Sequence, residues 1–363
     1  MLITATNICH YLLDKGFITA ESVVDGDFAV VDASGRNRNF KVIRKRASGY
    51  FVKQIPHWDA QTVAMLQCEA ACYWLAHNDA DFAPLAPLLP EFFSYDLERH
   101  VLITELIPEG ENLYEFYRRV GGFPADVAGS LGHALGTYHR VAGDGLNRSP
   151  HRSIFPRQLP WILSADRRSS HPFKELSPAT SQLFDVVESS AELPRALDEL
   201  RNGWHADALM HGDMRWENCV ITRRDRTSIK IVDWELADIG DPGWDVGAVI
   251  QAYLFAPMMS AHASRGGLPA TPGAAAEYLS GAVRPSIRAC WEGYTGALRI
   301  GSEVARELFA RCVGYAAARM IQAAYEHVQF SSQVPANALR LVRASADILR
   351  DVPQAAEHLL GAP

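Results

Sequence analysis

The 363-residue sequence predicts an α+β protein of two unlike lobes, a small β-rich N-lobe over residues 1–107 and a larger helical C-lobe over residues 108–363. Three observations predict it. After a short helix, the first hundred residues are short apolar or alternating runs separated by turns rich in Gly and Asn. From Asn112 onward the apolar spacing becomes helical. One short β-like stretch, near residues 208–233, then interrupts the helical part. The length is ample for a real hydrophobic core.

The elements follow in order. Phe28–Asp32 reads as a strand, Ser34–Asn39 as a turn, and Phe40–Arg44 as a half-exposed strand alternating apolar and basic residues. A second turn at Ala47–Gly49 leads to a third strand, Tyr50–Gln54, so two successive antiparallel hairpins are expected. Asp59 is a good N-cap for a helix running to about His77, with Val63, Leu66, Ala70 and Tyr73 on its apolar stripe. Glu69 lies on or beside that stripe, where an unpaired carboxylate would be costly, so it needs a cation or strong donors. Past the proline-broken Pro84–Pro90, Phe92–Tyr95 and His100–Glu105 read as strands, and Ile107–Gly110 ends that sheet. Leu113–Val120 and Asp126–Val141 read as helices, and Asn147–Pro160 as irregular. Helical signal returns up to about Trp204 and again from Trp244 to the end, with a Gly/Pro/Ala linker near Gly266–Gly273. A cleft between unlike lobes is a natural ligand site.

Composition narrows the function classes. With 42 acids against 35 bases the net charge is −7, which argues against a dedicated nucleic-acid or anionic-membrane binder. No run is long and apolar enough to span a bilayer; the best, Ala248–Met259, is broken by Gln251 and Pro257. The six cysteines form no C-x-x-C pair, and Met1–Gly16 does not read as a signal peptide, so a reduced cytoplasmic setting is expected. Cys68 and Cys72 lie one helical turn apart without further ligands at suitable spacing, and read as small core residues.

The chemistry concentrates in Leu209–Thr222, whose centre is His211-Gly-Asp-Met-Arg-Trp-Glu-Asn218, and in Ser228–Glu235. A strand delivers Asp213 into a loop, the chain returns through Asn218 into Cys219–Thr222, the turn Arg223–Thr227 closes a hairpin, and a last strand ends at Asp233. Asp213, Asn218 and Asp233 are thereby expected at one end of a small ribbon. Oxygen donors of this kind suit Mg²⁺, which takes one or two carboxylates plus phosphate oxygens and water. A remaining acid can accept a proton from a hydroxyl nucleophile, so the set suits phosphoryl transfer.

His211–Asn218 together with Val232-Asp-Trp-Glu235 resembles the aminoglycoside phosphotransferase/choline kinase family, a branch of the protein-kinase-like fold. The resemblance implies that Asp213 is the catalytic base and that Asn218 and Asp233 hold Mg²⁺. It also implies that Lys53 pairs with the phosphates of ATP, that Glu69 is the helix partner of Lys53, and that Thr104-Glu105-Leu106-Ile107 is the hinge that binds adenine through backbone groups. Gly240–Asp245 resembles the family segment whose last aspartate braces the catalytic loop, and Leu131–His139 the long helix behind it. The phosphate loop corresponds to Ala33–Asn39, whose only glycine is Gly35. The resemblance covers roughly residues 25 to 255; the last hundred residues share only helicity.

Other residues near the motif keep two readings. Arg215 either serves the transferred phosphate or substrate, or is a surface arginine. Glu235 and Asp238 have either a secondary metal or substrate role or a structural one. His211 is expected to support the loop, His139 to be a satisfied core histidine, and Trp216 and Trp234 to be packing residues.

The expected reaction is ATP- and Mg²⁺-dependent transfer of the γ-phosphate to a hydroxyl. From Ala256 to Pro363 there are eight acids against ten arginines, a poor match to a polycationic aminoglycoside. A neutral small molecule or a peptide Ser/Thr suits that balance better. The general look of the chain is similar to kinase-like subunits of ribosomal-peptide (lanthipeptide-type) tailoring, which would imply a partner lyase or peptide-modifying subunit. The alternatives are an aminoglycoside or other antibiotic kinase, and a non-catalytic nucleotide-binding scaffold.

Overall fold

A computed structural model describes residues 2–146, 150–164, 171–173, 175–222, 224–263 and 272–360. The chain divides into two compact units. The first comprises Met1–Arg119, Ser149–Phe155 and Glu217–Ala237; the second comprises Val120–Arg148, Pro156–Trp216 and Asp238–Pro363.

The first unit opens with two short helices, α1 (Ile8–Asp14) and α2 (Ala20–Val24). An antiparallel sheet follows, built from β1 (Phe28–Asp32), β2 (Arg38–Arg44), β3 (Gly49–Gln54), β4 (Phe92–Asp96) and β5 (Val101–Leu106), in the order β1-β2-β3-β5-β4. Both expected hairpins are present. Phe40, Val42, Val52, Val101 and Ile103 alternate along their strands and bury one face against Ile3, Ile8, Tyr11 and Leu12. The helix between β3 and β4, α3 (Ala60–Asn78), starts where expected, with the Asp59 carboxylate accepting the Thr62 N–H at 3.0 Å. It carries Glu69 inward.

A second ribbon in this unit orders β6 (Gly110–Asn112), β8 (Cys219–Thr222) and β9 (Ile229–Ile231) as β6-β8-β9, just before α4 (Leu113–Val120) in chain order for its first strand. The sequence reading differs here in two ways. It ended the N-lobe at residue 107 and assigned the whole 208–233 stretch to the larger lobe. Instead, Gly110↔Thr222 and Asn112↔Val220 pairing ties β8 and β9 to the N-terminal unit. It also treated one ribbon as running from Ala208 to Asp233. Instead, β7 (Ala208–Met210) pairs with β10 (Asp238–Gly240), a strand not expected at all, in a separate two-stranded sheet of the second unit. Three-residue strands carry no periodicity, and their partners are set by long-range pairing.

The second unit is mainly helical: α5 (Ala125–Leu146), α6 (Pro178–Ser189), α7 (Leu193–Asn202), α8 (Gly243–Ala263), α9 (Pro272–Leu298), α10 (Ser302–Val328), α11 (Ala336–Arg350) and α12 (Val352–Leu360). The expected linker at Gly266–Gly273 lies, up to residue 271, outside the described residues. Helix α10 is the hub of this unit's core, where Tyr315, Met320, Ile321 and Tyr325 pack with Leu183, Phe184, Trp244 and Leu341. Helices α5 and α9 meet backbone to backbone. A Cβ added at Gly132 would lie 1.8 Å from the Cys290 carbonyl oxygen, and one at Gly136 would lie 2.3 Å from that of Tyr294. Glycine is required there by the closeness of the partner helix.

The six cysteines are free thiols; Cys68 and Cys72 are buried, and Cys68 Sγ donates to the Ala237 carbonyl at 3.2 Å. Among the described residues, no helix is long and apolar enough to cross a membrane.

Candidate active site

In the first unit, a cavity of about 300 Å³ is lined by residues from both sheets and α3. Lys53 reaches it from β3, where it sits opposite Leu102 of β5 and Asn39 of β2. Alternation fixes its direction: Val52 faces the apolar core and Lys53 the opposite side. Lys53 Nζ donates to Glu69 Oε2 at 2.7 Å, and both side chains are 4% exposed. Nζ also donates to Asp233 Oδ1 and, at 3.0 Å, to Glu235 Oε2. Burial by itself would lower the Lys53 pKa. The carboxylates of Glu69 and Asp233 more than offset that effect and raise it above the ordinary lysine value. The ammonium is therefore a fixed positive charge.

Tyr73 links the pieces. One turn beyond Glu69 on α3, its hydroxyl donates to Glu69 Oε1 at 3.4 Å and accepts the Asp233 N–H at 3.3 Å. Burial first, then the neighbouring carboxylates, push its phenol well above the usual range, so it stays neutral. The sequence reading placed Tyr73 in the apolar stripe and missed this role. Its signal was available in the i, i+4 spacing from a buried acid.

Asp233 follows β9 in the left-handed region, at φ 66° and ψ 52°. Such a backbone is uncommon for a residue other than glycine, and Asp tolerates it better than most. The next turn, Trp234–Leu236, brings Glu235 back to the same place, and its carboxylate binds Lys53, Arg36 and Asn37. Asn218 enters because the Val232 N–H donates to its carbonyl at 2.9 Å, next to the Cys219↔Ile231 pair of the β8–β9 hairpin. Asn218 and Asp233 both line the cavity. Carboxylate oxygens of Glu69, Asp233 and Glu235 lie within 4.8 Å of one another and form a set able to hold a metal ion. Thr104, Glu105, Leu106 and Ile107 also line the cavity, with Phe51, Leu102, Val220 and Val232 adding apolar surface. Gly35 is the exception among the expected nucleotide residues. It sits in the β1–β2 turn and is not among the residues lining this cavity.

In the second unit, the loop bearing Asp213 hangs on a buried carboxylate. Asp245 accepts the His211 N–H at 2.6 Å, the Gly212 N–H at 3.0 Å, the Tyr138 hydroxyl, and His139 Nε2 at 3.4 Å. Burial would raise the Asp245 pKa, but the donor and charge of His139 lead the groups that hold it below the ordinary value. Gly212 takes φ +79°, where a side chain would be strained. His211 Nδ1 accepts the Asp213 N–H at 3.3 Å, so it shapes the loop, and His139 is satisfied by Asp245 and by Tyr294. Two cations flank Asp213: Arg215 Nη2 at 2.7 Å and Arg319 Nη2 at 3.7 Å. Arg319, from α10, is buried with its guanidinium over the Trp244 ring, and nothing in the local sequence had marked it. Trp216 packs with Phe123 and Tyr253, and Asp238 accepts the backbone N–H groups of Arg157 and Gln158, a structural anchor.

A buried lysine–carboxylate pair in one unit and a braced aspartate loop in the other are parts that phosphoryl transfer calls for. Residues 28–281 match the model of the phosphotransferase enzyme family (APH), and the chain belongs to that family. No curated protein matches the chain by sequence. Among solved structures it is similar to an ethanolamine kinase from Plasmodium vivax, at 14% identity over 95% of this chain and 89% of that one, with a TM-score of 0.59. It is similar to a choline/ethanolamine kinase family protein from Mesorhizobium loti, at 16% identity over 98% of each chain, TM-score 0.51. It is also similar to APH(2″)-IIa in its ternary complex with streptomycin and ATP, at 13% identity over 96% and 99%, TM-score 0.50. At these identities the likeness establishes a common protein-kinase-like α+β fold. Family membership makes the protein a phosphotransferase with a hydroxyl-bearing acceptor.

Proposed function

We propose that the protein moves the γ-phosphate of ATP, with Mg²⁺, to the hydroxyl of a peptide Ser/Thr or of a neutral small molecule. The observation that carries the donor side is the buried Lys53–Glu69 pair bonded to Asp233 in a cavity also lined by Thr104–Ile107. A lysine fixed by a helix carboxylate is a ready counter-charge for nucleotide phosphates. The donor set fits Mg²⁺: Asn218 and Asp233 offer hard oxygens on the same cavity, and Asp233 is held by a cation that phosphate oxygens can draw away. When bound there, Mg²⁺ would neutralise phosphate charge. Asp213 would orient the acceptor hydroxyl and take its proton as the new P–O bond forms and the bond from the γ-phosphorus to the β–γ bridging oxygen breaks, with ADP as the leaving group.

The acceptor is read from the surroundings of Asp213. Arg215 and Arg319 place two positive charges at this carboxylate. The ammonium groups of an aminoglycoside would meet like charge there, which costs affinity. A Ser/Thr side chain or an uncharged alcohol meets none. For a peptide acceptor, the phosphorylated side chain is the natural substrate of a partner lyase acting by elimination.

The test is an acceptor screen with γ-labelled ATP and Mg²⁺ over Ser/Thr peptides, neutral alcohols and aminoglycosides, on wild type and Asp213→Asn. Label is expected in a peptide or a neutral alcohol, with transfer falling about 10³-fold in the variant while ATP still binds. Label in aminoglycosides alone would overturn the acceptor reading. Nucleotide binding without transfer to any class would mark a scaffold.

A further inference from the structure

We infer that Arg36, on the β1–β2 turn, is a ligand of the outermost phosphate of the bound nucleotide, and that Glu235 holds it in place until that phosphate arrives. The inference rests on the nucleotide reading of the Lys53 cavity.

Phosphate loops commonly work through glycines, whose bare backbone lets N–H groups point at the anion. This turn works differently. The Ala33 N–H donates to the Asn39 carbonyl at 2.8 Å, the Ser34 N–H to Asp32 Oδ1 at 2.8 Å, the Gly35 N–H to the Asn37 carbonyl at 3.0 Å, and the Asn39 N–H to Ser34 Oγ at 3.2 Å. Four backbone donors of the turn are thus directed into the turn itself. Gly35 has an ordinary negative-side backbone, and a Cβ there would meet nothing within 4 Å, so it is not a glycine kept for close approach. With four backbone donors so occupied, the side chains of Arg36 and Asn37 are the turn's prominent groups toward a phosphate.

Those side chains point to the phosphate end of the site. Arg36 and Asn37 both bind Glu235, whose side chain is only 10% exposed and which also accepts from Lys53. One carboxylate therefore separates the guanidinium of Arg36 from the ammonium expected to bind phosphates. Arg36 itself is 64% exposed at its side chain, so it can turn from one anion to another with little loss of buried contact. A phosphate group offers it more charge and the bidentate geometry that guanidinium matches best. A triphosphate reaching Lys53 would compete with Glu235 for both cations at once. A nucleotide lacking the last phosphate would leave Arg36 on Glu235. The arm would then act as a discriminator between tri- and diphosphate, using one side chain where other phosphate loops use several backbone groups.

The test is calorimetric titration of Mg–ATP and Mg–ADP into wild type, Arg36→Ala and Arg36→Lys, with thermal melts to verify that the variants are folded. Arg36→Ala is expected to weaken ATP about tenfold and leave ADP within about twofold. Arg36→Lys is expected to fall between, since it keeps the charge and loses the fork. Equal weakening of ATP and ADP, or no weakening of either, would overturn the inference and leave Arg36 a tether of the turn. Failure of wild type to bind any nucleotide would instead remove the nucleotide reading, and this inference with it.

Discussion

Two carboxylate centres of this protein, one around Lys53 and one at Asp245, are built on opposite plans. In the first unit, Glu69, Asp233 and Glu235 surround a lysine ammonium, charge against charge. In the second unit, Asp245 is surrounded by two backbone N–H groups, a tyrosine hydroxyl and an imidazole. Mobile counter-charges can be traded for a ligand of like sign, because each carboxylate released from lysine can take a cation. Backbone donors cannot be traded without unmaking the loop they belong to. The first centre is therefore suited to binding and the second to holding the Asp213 loop in one shape.

Three experiments sharpen or break this contrast. The largest stability effect is expected at the brace. Asp245→Asn keeps the shape but places an amide N–H against donors, and should cost about 3–5 kcal/mol in urea unfolding. A loss under about 1 kcal/mol would show the brace to be as replaceable as the charged cluster. At the cluster, Lys53→Met leaves Glu69 buried without its cation and should cost about 3 kcal/mol. The pair Lys53→Met with Glu69→Gln should recover most of that loss, and a double-mutant cycle measures it. Additive losses would mean that packing, not pairing, holds Lys53.

The smallest effect lies at a third acid, Asp96, which ties α1 to the β4–β5 hairpin through Tyr11, Lys15 and Arg99. Burial favours its neutral form, yet Lys15 and Arg99 hold its pKa at about 2, below the ordinary 3.8. A depressed folded pKa contributes stability that is complete above the ordinary value and is lost as pH falls from about 4 toward 2. Because Lys15 is partly exposed, about 1–2 kcal/mol is expected. The stability gap between wild type and Asp96→Asn should therefore narrow between pH 5 and pH 3 in urea melts.

What was legible in the sequence was what chain spacing encodes. Glu69 stood out as a charge on an apolar stripe, Lys53 was implied by the family resemblance, and the structure pairs them. The loop-bracing role of Asp245 was implied by the family resemblance of Gly240–Asp245, and the structure shows its bonds to the loop backbone. Hairpins β1–β2–β3 and the N-cap of α3 followed from turn and cap chemistry. Hidden were contacts whose partners lie far apart in sequence. The pairing of β6 with β8 joins residues 110 and 222, and that of β7 with β10 joins 208 and 240. Arg319 near Asp213 and Arg36 on Glu235 are likewise side chains with no local pattern, placed by tertiary packing alone. Gly35 misled for the opposite reason: a glycine in a turn looks like a phosphate cradle until the turn's own hydrogen bonds are seen.

The contact of α5 with α9 bears on how this protein can change over generations. Any replacement at Gly132 or Gly136 adds a Cβ that collides with main-chain oxygen of the facing helix, so neither position can drift. Tyr138 and His139, which bond the brace Asp245, sit just beyond on the same helix. A lineage acquiring a new acceptor must do so by altering residues outside this helical seam, since selection has no small step available within it.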